Sequence, residues 1–100
     1  MTEHDGLAQL REELDRLDAE LLDIVRGRLD CGLRIAAYKS ANEVPMMQPH
    51  RVRLVKERAA RYAAEHGIDP GFLVRLYELL IQEMCRVEDV AIAAAAGSGR

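Results

Sequence analysis

Apolar residues recur along residues 7–42 with a seven-residue period, the spacing that lines up one face of a helix. Counting from Leu7 gives Leu7, Leu14, Leu21, Arg28 and Ile35, and a companion series gives Leu10, Leu17, Ile24, Cys31 and Tyr38. Nine of these ten positions are apolar or semi-apolar, and the exception is Arg28. Burying an unpaired guanidinium is costly, so a cation in this stripe implies a partner anion.

The pattern predicts a long first helix, starting near Leu7 after a flexible polar lead-in over residues 1–6. Gly27 and Gly32 weaken its interior by about 1 kcal/mol each relative to alanine, and glycine there also permits close approach of another backbone. The helix must end by Val44, because Pro45 disfavours helical geometry in the residue before it. Residues 43–48 form a loop. A second helix is expected from Pro49 to a stop at Gly67, burying Val52, Val55, Ala59 and Tyr62. A third starts at Asp69 as N-cap, with Leu73, Leu76, Leu80, Met84, Val87 and Ala91 on one stripe, and runs to about Ala94 before a flexible tail over 96–100. The fold class is therefore all-α, in a single domain spanning residues 1–100.

Composition narrows the function. With 49% apolar and 31% charged residues the chain reads as soluble and globular, and a net charge of −3 argues against nucleic acid or an anionic membrane as partner. A three-helix chain of this length buries only a modest core, so oligomerisation is expected. Cys31 and Cys85 belong to no CxxC or Cys/His cluster and read as reduced core thiols. The absence of an export signal or an eighteen-residue apolar run points to the cytoplasm.

No HExxH, GxSxG, GxxxxGK[ST], GxGxxG or paired-cysteine motif is present, which disfavours metal or covalent catalysis. What remains is a set of cations. Arg11 and Lys39 flank the stripe, Arg28 lies in it, and Arg51 opens the second helix. Interhelical salt bridges are the alternative role for Arg11 and Lys39. At about 1.5 Å per residue, Arg28 and Lys39 stand about 16 Å apart along the helix, within reach of one small ligand, whereas Arg11 is about 25 Å from Arg28. If Arg11 binds the same ligand it must come from a second, antiparallel copy, and a two-fold dimer would build two equivalent sites.

These residues resemble the AroQ-class chorismate mutases. The likeness runs from residue 7 to about 92 and rests on LREELDRLDAELLDIVRGR, the pair Arg34 and Lys39, the pair Arg51 and Arg53 after the loop, and LYELLIQEMCRVED in the last helix. It implies an intertwined homodimer of three-helix chains, no cofactor, and a pericyclic [3,3] rearrangement of a small dicarboxylate without a bond to protein. By that likeness Arg28 and Arg11 of the partner subunit grip the two carboxylates, Arg51 lies on the same polar wall, and Lys39 donates to the ether oxygen. Glu88 occupies the place of a second donor to that oxygen, and must carry its proton to donate; a salt bridge, for instance to Arg86, is its alternative.

Two departures bear on the substrate. Many of these enzymes read D-x-x-R-E where this chain has Gln48-Pro49-His50-Arg51-Val52, so neither acid is present beside the C4 substituent of the ring. Met84 stands where a small hydroxyl residue would contact a carboxylate. The R-V form occurs in isochorismate pyruvate lyases, but VPMMQP and EMCRVED are closer to the 4-amino-4-deoxychorismate mutases of antibiotic pathways, which supply 4-aminophenylalanine units. Rearrangement of 4-amino-4-deoxychorismate is the leading expectation. Chorismate mutase, isochorismate pyruvate lyase and a non-catalytic helical dimer follow in that order.

Overall fold

The computed structural model describes residues 3–45 and 48–98, with side chains over 5–45 and 48–94. Among the described residues the chain forms three helices and no strand: α1 Glu3–Ala41, α2 Pro49–Glu65 and α3 Pro70–Ser98. The helix α1 starts four residues earlier than the apolar pattern suggests, because nothing before Leu7 breaks a helix and Asp5 sits favourably near its positive end. The helix α3 outlasts Ala94 because an alanine run has the highest helix propensity. Met46 and Met47 of the first loop, and the extreme termini 1–2 and 99–100, lie outside the described residues.

Two helix ends use the same closing device. At the end of α1, Val44 N donates to Lys39 O at 2.9 Å, with Glu43 at φ +56° between them. At the end of α2, Ile68 N donates to Ala63 O at 2.9 Å, with Gly67 at φ +70°. Both are six-to-one closures that need a left-handed residue just past the helix. Glycine fills that position without strain in one case; glutamate fills it in the other. The helix α3 opens as expected, with Asp69 Oδ2 accepting from Phe72 N at 3.0 Å.

The chain divides into two compact units, residues 1–31 and 32–100. The first is the greater part of α1. Its apolar stripe faces outward within the single chain: Leu7, Leu10, Leu14, Leu17, Leu21 and Ile24 are all exposed, Leu14 at 56%. The second unit holds the last turns of α1 and a hairpin of α2 and α3, whose four-residue connection makes these two helices antiparallel neighbours. Lys56 Nζ reaches Glu78 at 3.1 Å across that hairpin, a partly exposed pair of modest energetic weight.

The core of this second unit is built from small residues. Ala36, Ala59 and Ala63 are 3%, 5% and 0% exposed, and Gly32 is buried with them. Gly32 and Ala36 are one turn apart on α1, and Ala59 and Ala63 one turn apart on α2, so each helix offers a narrow small-residue strip for close approach. Val52 and Val55 are half-buried as expected, but Tyr62 is not: it is exposed and lies against His66, with ring centroids 4.1 Å apart. Ala63 takes the interior position because the strip admits no larger side chain. On α3, Leu73, Leu80, Met84, Val87 and Ala91 are half-buried and Leu76 just reaches the surface. Cys31 and Cys85 are free thiols, but exposed rather than in the core.

Candidate active site

Lys39 stands in the last turn of α1, half-buried. A cation there complements the negative end of the helix. Its carbonyl is fixed by Val44, and the preceding carbonyl, Tyr38 O, accepts both Asn42 N at 3.0 Å and Asn42 Nδ2 at 2.8 Å. The backbone under Lys39 is thus tied on both sides.

Gln48, Arg51 and Val52 are gathered by the start of α2. Gln48 O accepts Arg51 N at 3.0 Å and Val52 N at 3.2 Å, which starts the helix. The Gln48 side chain makes no capping bond, so its exposed amide is not used up by the helix end. Arg51 is exposed and Val52 half-buried.

The helix α3 supplies Met84 and Glu88, both half-buried and one turn apart on the same face. Arg86 does not pair with Glu88. It binds Glu83 through both Nε and Nη2, the latter at 3.2 Å. That bond holds the Glu83 carboxyl below its ordinary range and raises the Arg86 guanidinium further.

Gly32 was foreseen as a place for another backbone to approach. What approaches is a side chain: a Cβ built on Gly32 would lie 2.7 Å from Met84 Cγ and 2.8 Å from Met84 Sδ. The signal in the sequence was the small pair Gly32 and Ala36 opposite a long unbranched residue.

Arg11 and Arg28 belong to the other unit. Arg11 is exposed; Arg28 is half-buried with its Nε shielded from solvent. Both sit on α1, and seventeen residues of helix hold them about 25 Å apart. The single chain therefore does not bring Arg11 to Arg28. Among the described residues no group of three or more His, Cys, Asp or Glu side chains could hold a metal ion, and no helix is long and apolar enough to cross a membrane.

Comparison with known proteins decides the family. The profile of the family described as chorismate mutase type II matches residues 10–89. The chain belongs to that family. It is 63% identical to a 4-amino-4-deoxychorismate mutase of Streptomyces venezuelae, over 93% of this chain and 90% of the relative. It is 60% identical to a 4-amino-4-deoxychorismate mutase of Streptomyces pristinaespiralis, over 89% of this chain and 69% of the relative. An isochorismate pyruvate lyase of Pseudomonas aeruginosa is 33% identical over 76% of this chain and 74% of the relative. As a member of the chorismate mutase type II family with mutases as near relatives, the chain is an enzyme of the isomerase class.

Proposed function

We propose that this chorismate mutase family member rearranges 4-amino-4-deoxychorismate to 4-amino-4-deoxyprephenate, on a secondary-metabolite route to 4-aminophenylalanine units. The observation that carries the substrate is the gap in identity: 63% and 60% to two enzymes of that name, against 33% to a lyase that acts on isochorismate. The neutral pair Gln48 and Val52 accompanies it, since no acid stands there to hold a C4 hydroxyl.

The reaction breaks the ether C–O bond and forms a C–C bond within one molecule, with no net gain or loss of protons or electrons. The enzyme's tasks are to compact a flexible enolpyruvyl arm and to stabilise charge on one oxygen. Arg28 and Arg11 of the partner subunit hold the two carboxylates in two-pronged contacts that lysine would not reproduce. Arg51 adds positive charge to the same wall. Lys39 donates to the ether oxygen as negative charge grows there, and Glu88 takes the place of the second group beside it. Gln48, Val52 and Met84 line the substrate.

The site so assigned requires a homodimer, because Arg11 lies too far along α1 to serve its own chain. The outward leucine stripe of residues 7–24 supports this, being the apolar face that an antiparallel second copy would cover. The two free thiols suit a reducing cytoplasm.

Separate incubations with 4-amino-4-deoxychorismate, chorismate and isochorismate, with products resolved, test the assignment. The amino substrate should turn over fastest; faster formation of prephenate, or release of pyruvate, would replace this reading. Lys39→Ala should reduce turnover at least about a hundredfold while the dimer persists, the usual consequence of losing a preorganised donor. Near-normal turnover would remove Lys39 from the mechanism.

A further inference from the structure

We propose that Gly32 and Met84 form a pin between α1 and α3 that sets Lys39 against Glu88, so that Gly32 is a positioning residue for these two groups and Met84, besides lining the substrate, positions them too. The inference rests on the roles of Lys39 and Glu88 proposed above. All four residues belong to the unit that begins at Gly32.

The contact is unusually intimate. An added Cβ at position 32 would meet Met84 Cγ at 2.7 Å, Sδ at 2.8 Å and Cε at 3.2 Å. Three consecutive atoms lie across the bare Cα, so moving the end of the side chain would not relieve the overlap. The whole thioether would have to leave the helix surface by rotation nearer its root. An unbranched side chain can lie flat in such a groove and a branched one cannot.

The two helices carry the chemistry at fixed steps from this point. Lys39 is seven residues beyond Gly32, two turns along nearly the same line of α1 and about 10 Å away. Glu88 is one turn beyond Met84 on α3. Ala36, 3% exposed, lies between Gly32 and Lys39 on that line, leaving no bulk to hold the helices apart. The depth at which Met84 seats on Gly32 therefore governs the spacing of the two groups, and a displacement of about 1 Å at a reacting centre can reduce rate a hundredfold.

A double-mutant cycle on the purified full chain with 4-amino-4-deoxychorismate tests the pin. Gly32→Ala should lower kcat about 10- to 100-fold with KM changed less than about threefold, because the groups displaced act on the transition state. In a Met84→Ala background the same substitution should lower kcat less than about threefold, the obstructing atoms having gone. Gly27→Ala is the control: a Cβ there meets nothing within 4 Å among the described residues, and kcat should stay within about twofold. Equal losses in both backgrounds, an unchanged kcat, or an effect on KM alone would overturn the proposal. Should Gly32→Ala fail to fold, Met84→Leu approaches from the other side. It keeps volume but branches at Cγ, and should lower kcat at least about fivefold; undiminished kcat overturns the pin. A wild-type chain inactive on the amino substrate would overturn the functional assignment and the pin together, whereas wild-type turnover without coupling sinks the pin alone.

Discussion

The two units of this chain handle apolar surface in opposite ways. Up to Cys31, large side chains are abundant and exposed: a row of exposed leucines stands on one face of α1. From Gly32 onward the buried side chains are alanines, and among the described residues none larger is buried. Small residues let helices close in on one another but remove little apolar area from water. The volume that could make a core thus sits on exposed positions of the first unit. The homodimer proposed above would supply such a chain with much of its stability.

The largest test of this contrast is to charge the exposed row. Leu14→Lys with Leu21→Lys should dissociate the proposed dimer and abolish cooperative unfolding, each leucine being worth roughly 2 kcal/mol if buried by a second copy. Sedimentation velocity and thermal melts would detect it; a variant with unchanged mass and melting would mean that the row is surface. In the other unit the sensitive change is in size. Ala63→Leu, at a position with 0% exposure, should destabilise by about 1–3 kcal/mol in denaturant melts. A neutral result would mean that α2 and α3 are not closely packed there.

Smaller effects should come from the two helix ends that close alike. Glu43→Gly should stabilise by about 1 kcal/mol and Gly67→Ala destabilise by a similar amount, since only glycine takes a positive φ freely. Equal responses of the same sign would break the parallel. The smallest effect is expected at the Glu83 and Arg86 pair. Its bond lowers the Glu83 carboxyl, so its contribution is present above the ordinary carboxylate range and disappears as pH falls through the lowered value. The pair is largely open to solvent, so Arg86→Ala should change the acid limb of a stability profile only slightly, and high salt should erase the difference.

Much of the fold was legible from strong local signals. Pro45 and Pro49 bracket the first loop, Gly67 stops α2, and Asp69 caps α3; each acts through its own backbone or its immediate neighbours. Tyr62 was misjudged for the complementary reason. Helical periodicity marks a face but not how closely another helix approaches it, and a strip fit only for Ala59 and Ala63 turns a tyrosine outward. The proposed site rests on residue types read from the sequence, a cation in a stripe and a second one near a helix end. Its supports were not, because the closure from Val44 to Lys39 and the seat of Met84 on Gly32 depend on coordinates.

The sequence by itself determined three helices, the Gly67 stop and the Asp69 cap, the family and a set of candidate cations, because propensity, capping and periodicity are local and charge is additive. Only the tertiary structure decided that the interior is alanine, that Cys31, Cys85 and Tyr62 face outward, that Arg86 takes Glu83 rather than Glu88, and that Gly32 is filled by Met84. Those outcomes depend on the distance between helices, a quantity that packing of specific side chains settles and that no single helix encodes.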